Sequence, residues 1–160
     1  MRPSEIELGD ERVARAVHEV GRRSYAVEAA IIGFDGIPAL SESLTEMRAE
    51  PLRWIATSDA DGLPVAFIAW ARTDAGEVDI DRLCVDPGWF RKGLARELLD
   101  HLLTTQTDGD VLVSTGAANV PAVTLYTRAG FTPTGTSSPV PGLEMAHFRL
   151  TRGTAAEERG

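Results

Sequence analysis

LCVDPGWFRKGLARELL, residues Leu83 to Leu99, runs an apolar strand-like stretch into a basic glycine turn and then into a leucine-rich helix. The first turn of a helix leaves backbone N–H groups without partners, and the aligned peptide dipoles favour an anion there by about 0.3–1 kcal/mol. Arg91, Lys92 and Arg96 add positive charge at that end, Gly93 has no Cβ, and Ala95 carries only a methyl. A bulky phosphate could therefore approach the amides of residues 91–96 without a clash. Leu94, Leu98, Leu99, Leu102 and Leu103 mark one buried helical face. The same residues also suit a plain strand-to-helix connection with solvated basic side chains, so the turn needs a second signal. No Gly-x-x-x-x-Gly-Lys-[Ser/Thr] and no Gly-x-Gly-x-x-Gly occurs, which argues against a nucleotide P-loop and a dinucleotide fingerprint.

The second signal is AANVPAVTLYTRAGF, residues 117–131, where Asn119 precedes a short helix that carries Ala122, Leu125 and Tyr126 and stops at Gly130. Asn119 and Tyr126 are seven residues apart. Two helical turns nearly close over that interval, with a drift of roughly 20°, so both side chains point to one side. Pro121 fits the first helical turn, where its missing N–H removes no bond. Gly130 supplies a left-handed stop, and Phe131 begins a new strand.

Taken together, Leu83-Cys84-Val85, Asp86-Pro87, Arg91 to Arg96, Asn119, Ala122, Tyr126, Gly130 and Phe131 resemble the GNAT superfamily of acyl-CoA-dependent N-acyltransferases, over roughly residues 52–150 in element order. The resemblance implies an α/β (α+β) fold: a mixed, mostly antiparallel sheet of about six to seven strands flanked by about four helices, splayed between the fourth and fifth strands. It implies acetyl-CoA as cosubstrate. The pantetheine arm would pair with the backbone of Leu83, Cys84 and Val85, and the diphosphate would sit on the amides of Arg91, Lys92, Gly93, Leu94, Ala95 and Arg96. The Asn119 side chain would bond to the cofactor arm, and Tyr126 would protonate the departing thiolate. Two positions depart from the family pattern. Phe90 stands where members usually have Gln or Arg, and Ser114 stands where some carry a catalytic carboxylate on the fifth strand; a hydroxyl alone is no base near neutral pH.

The 160 residues suit one domain over residues 1–150, with residues 151–160, TRGTAAEERG, as a flexible polar tail. A net charge of -8, from 24 acidic against 16 basic residues, argues against nucleic-acid binding and is compatible with a cationic amine acceptor. One cysteine, Cys84, excludes an intramolecular disulfide framework, and no secretory pattern opens the chain, so a reducing cytoplasm is expected. No apolar stretch is long enough to cross a bilayer, so no membrane partner is expected. The expected partner is an amine acceptor, and the protein a monomer or homodimer.

Apolar positions Val13, Val17, Val20, Tyr25, Ala26, Ala29, Ala30 and Ile32 recur at helical intervals from Asp10 to about Gly33, with Asp10 as N-cap. A second short helix is expected from Ser43 to Ala49, and a small first strand near Glu5 to Leu8. RWIATS, PVAFIAWAR and VDIDRLCV form an antiparallel meander; DVLVST, FTPTGT and MAHFRL supply the later strands, around helices near Lys92 to Thr105 and after Asn119. Strands in series that then alternate with helices indicate a mixed sheet packed by helices.

An alkyl amine with a pKa near 10.4 must lose a proton before attack, which at pH 7 costs about 4–5 kcal/mol. Asp81 is the candidate base. It alternates with Asp79 on the fourth strand, so both are expected on one side, and Glu28 and Asp35 are further candidates because the resemblance implies that the N-terminal region walls the acceptor site. Cys84 reads as a small buried apolar residue rather than a nucleophile. His18, His101 and His147 lack metal-ligand spacing and read as surface or strand residues, and no metal is expected. Trp54 and Trp70 read as core, and Trp89 as packing beneath the turn. A non-catalytic acyl-CoA-binding or interaction module with the same fold is the alternative to an enzyme.

Overall fold

In a computed structural model that describes residues 2–152, the elements follow the order β1 (Ser4–Ile6), α1 (Glu11–Ile32), α2 (Leu44–Ala49), β2 (Arg53–Ser58), β3 (Pro64–Arg72), β4 (Val78–Val85), α3 (Leu94–Thr105), β5 (Val111–Gly116), α4 (Val120–Arg128), β6 (Thr132–Val140) and β7 (Leu143–Leu150). Local chemistry accounts for the ends of α1 and α2. The Asp10 carboxylate accepts from Arg12 N and Val13 N, and Gly33 stops α1 at φ 70°. Ser43 and Glu46 form a reciprocal capping box on α2.

The strands make one seven-stranded sheet in the order β1-β2-β3-β4-β5-β7-β6. All neighbours are antiparallel except β4 and β5. Residues 64–70 of β3 are buried without interruption, as a central strand covered on both faces must be. On one face, Ile68, Trp70 and Ile80 meet Leu94, Leu98, Leu99 and Leu102 of α3, with Tyr126 of α4 and Phe131. On the other, Phe67, Ala69 and Cys84 meet Ala14, Val17 and Val20 of α1 and Met47 of α2. Burial of each large apolar side chain contributes about 1.5–3 kcal/mol.

Several expected bounds shift. β1 ends at Ile6, and Leu8, expected in it, is instead a buried residue ahead of α1. Arg91 and Gly93 adopt φ 63° and 76°, so the turn persists through Gly93 and α3 begins at Leu94 rather than Lys92. β6 extends to Val140 although it is exposed throughout, because it is an edge strand held by pairing with β7 rather than by burial. Of the expected tail, Arg152 is anchored: its N–H donates to Asp110 Oδ1 at 2.7 Å and its guanidinium to the Leu103 carbonyl at 3.0 Å. Residues 153–160 lie outside the described residues.

Two irregularities on β4 shape the site. β4 and β5 pair only over Val78–Ile80 and Val111–Val113, so beyond Ile80 the strands part. The register with β3 also slips there: Ala69 faces Arg82 while Trp70 faces Ile80, leaving Asp81 as the extra, bulged residue.

Candidate active site

The divergence of β4 and β5 leaves an unpaired main-chain edge. The Asp86 N–H donates to the Val65 carbonyl at 2.8 Å, on the β3 side. Strand alternation then turns the main-chain groups of Val85 and Leu83 away from β3, toward the gap. Cys84 points its side chain to the α1 face, where it is buried, and burial pushes its thiol up to about 12. By the same alternation its main-chain groups face β3 rather than the gap, against the expected contact with a pantetheine arm, and a neutral thiol is no nucleophile.

A cavity of about 590 Å³ opens on one side of that edge, lined by Leu83, Val85, Arg91, Gly93, Leu94, Ala95, Arg96 and Asn119, among others. No side chain caps α3, so its leading N–H groups are left to a ligand. Arg91 holds a left-handed backbone uncommon outside glycine. The Arg96 guanidinium is turned toward Asp100, whose carboxylate accepts from Nε at 2.9 Å. Lys92 is not among the lining residues, because it sits within the turn rather than on the groove wall. Trp89 packs against the core and also lines the groove, as does Phe90, which is exposed.

A second cavity, of about 620 Å³, lies on the other side. Its wall carries Glu28, Glu42, Glu46, Glu50 and Asp81 against Arg82, five carboxylates to one guanidinium. Arg82 donates to both oxygens of Glu42 at 2.7 and 3.3 Å, and through Nε to Asp81 Oδ2 at 2.8 Å. Asp81 therefore reaches the cavity already engaged in an ion pair. The bulge breaks the strict alternation on which Asp79 and Asp81 were expected to share a side, and of the two only Asp81 lines the cavity. Asp79 lines neither cavity, and burial and the neighbouring Asp81 and Glu77 raise its carboxyl pKa. Asp35 lines neither cavity as well.

The cavities meet at Glu28, Leu83, Asn119, Ala122 and Tyr126, which line both. Asn119 and Tyr126 thus share a side of α4. Asn119 Oδ1 caps the helix by accepting from Ala122 N at 3.3 Å. Phe131 N donates to the Tyr126 carbonyl at 3.0 Å, closing the helix beyond Gly130. The Tyr126 ring is buried edge-on against Phe131, and burial raises its phenol pKa, so it keeps its proton near neutrality. Burial also raises the Glu28 carboxyl, against hydrogen bonds from the Asn119 side chain and Gly116 backbone. A carboxyl with a raised folded pKa destabilises the fold as pH rises through that pKa. Glu28→Gln is therefore expected to melt higher than the parent at pH 7, with the difference vanishing below the carboxyl range; thermal melts across pH check this.

Sequence reasoning missed one arrangement. Ser114 lines the acidic cavity, and its Oγ lies 2.6 Å from His147 Nδ1 on the adjacent strand. His147 Nε2 lies 2.7 Å from Ser137 Oγ. Alternation in MAHFRL could place His147 opposite the core face of Phe148, but the β5·β7 register that seats it on Ser114 is a long-range fact.

Comparisons with known proteins agree with this fold. A family model described as an acetyltransferase (GNAT) domain matches residues 52–133, just over half the chain. The UPF0157 protein YqkA of Bacillus subtilis (strain 168) is 37% identical over 139 residues, covering 86% of this chain and 40% of that protein. The mycothiol acetyltransferase of Clavibacter sepedonicus is 33% identical over 95 residues, covering 58% of this chain and 31% of that protein. The chain thus spans less than half the length of either relative. The solved structure of the ribosomal-protein-S18-alanine N-acetyltransferase from Escherichia coli superposes with a TM-score of 0.71 at 19% identity, covering 94% of this chain and 92% of that one. At that identity the likeness concerns the fold, including the parallel, splayed β4–β5 pair. Among the described residues no helix is long and apolar enough to cross a membrane.

Proposed function

We propose, for a chain that belongs to the acetyltransferase (GNAT) family, that it moves an acetyl group from acetyl-CoA to a primary amine of a small molecule or peptide by direct attack within a ternary complex. The observation that carries this reading is the unpaired β4 edge where two cavities meet, with Tyr126 facing both. The cavity bounded by α3 offers uncapped amides and Arg91 to a diphosphate, and the outward main-chain groups of Leu83 and Val85 to the amides of a pantetheine arm. An N–H at Val85 would also polarise the thioester carbonyl as negative charge develops on its oxygen.

The acidic cavity suits the amine. A wall of carboxylates raises the local concentration of a cation and is a poor site for an anionic acceptor. Asp81, engaged by Arg82, and Glu42 help to set that field. Attack by the neutral amine forms the carbon–nitrogen bond as the carbon–sulfur bond breaks; Tyr126 gives its proton to the sulfur that departs, and the proton shed by the new amide nitrogen restores the phenol. The buried Cys84 thiol supports direct transfer over an acyl-enzyme route.

Acetyl-CoA at 100 times its dissociation constant is expected to stabilise the protein by about 2.7 kcal/mol, raising the melting temperature by roughly 5–10 °C. Thiol release should then be seen with a member of a panel of polyamines, aminoglycosides, amino acids and peptide N-termini. No thermal shift at millimolar acetyl-CoA would remove the acyl-CoA reading altogether. A shift without thiol release on any amine would instead select the non-catalytic binding module.

A further inference from the structure

The amine must shed a proton, and two of the carboxylate candidates are poorly placed to take it. Asp81 Oδ2 is held by Arg82 Nε, and Asp79 lies off the cavity wall. Glu28 reaches the junction of the cavities, but its carboxyl is engaged by the Asn119 side chain and the Gly116 backbone.

Ser114 stands elsewhere on that wall and leads outward. It is itself exposed on the acceptor cavity's wall, His147 behind it is half-buried and does not line the cavity, and Ser137 beyond that is exposed. The links are 2.6 Å and 2.7 Å, both of normal hydrogen-bond length. Hydroxyls donate and accept, and imidazole can hold a proton on either nitrogen, so each link can run in the same direction. The three side chains form a continuous path from the cavity to solvent across β5, β7 and β6.

We propose that Ser114, His147 and Ser137 form a proton relay that takes the ammonium proton of the acceptor out of the cavity, Ser114 receiving it and His147 acting through Ser114. The inference rests on the amine-acetylation reading above. With the His147 proton initially on Nε2, the acceptor N–H donates to Ser114 Oγ. Its proton transfers there as the serine's own proton passes to Nδ1. The Nε2 proton moves to Ser137 Oγ, whose own proton leaves to water. The acceptor changes from ammonium to neutral amine, one proton enters solvent, and all three side chains end neutral. A hydroxyl too weak to be a base by itself thereby borrows the basicity of the imidazole behind it.

The test compares Ser114→Ala, His147→Ala and Glu28→Gln on two acceptors: the primary alkyl amine that the parent enzyme acetylates fastest, and, as its neutral analogue, 2,2,2-trifluoroethylamine, which is largely unprotonated at pH 7. Relay loss should lower kcat about 100-fold on the alkyl amine for each of Ser114→Ala and His147→Ala, and leave the analogue unchanged. The double variant should be no slower than either single one, because the residues act as a unit. Imidazole added to His147→Ala should restore turnover, but not to the double variant. Acetyl-CoA thermal shifts report whether each variant remains folded. An equal loss on both amines, an undiminished rate, or a loss on the alkyl amine confined to Glu28→Gln would each overturn the relay while leaving the acetyltransferase reading intact. A parent enzyme inactive on every amine would overturn that reading, and the relay with it.

Discussion

Tyr126→Phe is expected to lower kcat about 100-fold, equivalent to about 2.7 kcal/mol of transition-state stabilisation, with no change in affinity for acetyl-CoA. The substitution isolates one atom. Phe keeps the ring that packs edge-on against Phe131, with centroids 5.5 Å apart, and beside Phe148 at 6.4 Å, so the melting temperature should hold. What is lost is a buried O–H that keeps its proton at neutral pH, as a donor to a departing thiolate must. A thiolate is a tolerable leaving group, with free thiols titrating near 8.5, so the variant should be slow rather than dead. The effect should fall on kcat and kcat/KM together, since the interaction forms only as the sulfur gains charge. Steady-state kinetics at saturating acetyl-CoA read it directly. A variant with the parent's kcat would assign Tyr126 to packing alone.

Local chemistry made much of the fold legible. Asp10 and Gly33 bound α1, the capping box starts α2, and the apolar runs RWIATS and PVAFIAWAR and the alternation in VDIDRLCV set β2, β3 and β4 at the bounds expected. Asn119 and Tyr126 share a helix side because helical period is a local property. What escaped the sequence is what depends on pairing. The bulge at Asp81 arises from register with β3, which no periodicity within β4 records, and of the two β4 carboxylates only Asp81 lines the wall. The edge strand β6, with Pro133, Gly135 and Pro139, has no apolar face to announce it beyond Thr136 and is held by β7. His147 seemed an isolated strand residue because Ser114 is 33 positions away in the chain, yet the β5·β7 register sets them side by side. The donor groove is built from contiguous motifs and could be read; the acceptor wall is assembled from α1, α2, the bulge and β5, and could not.

That assembly makes Arg82→Ala the substitution on the acidic wall with the largest expected effect on stability. Arg82 is 9% exposed, and it holds Glu42, 14% exposed, and the more open Asp81, while its guanidinium lies 5.6 Å from the Trp54 ring. Its pKa is raised by the hydrogen bonds to Glu42 and Asp81, which outweigh desolvation, so it stays charged throughout the accessible pH range. Truncating one partner of a buried pair costs about 3–5 kcal/mol, chiefly because the opposite charge remains buried and uncompensated. Asp81 is partly solvated, so the lower end applies: about 3 kcal/mol, or roughly 6–12 °C in melting temperature. Adding Glu42→Gln to Arg82→Ala should recover much of the loss at pH 7, whereas Glu42→Gln alone should destabilise, a coupling that a double-mutant cycle measures. Arg82→Met keeps the apolar stem over Trp54, so comparing it with Arg82→Ala separates packing from charge. If Arg82→Ala melted with the parent at pH 7, Glu42 and Asp81 would have to be solvated in the free protein, and the acidic wall would be an open surface rather than the side of a cavity.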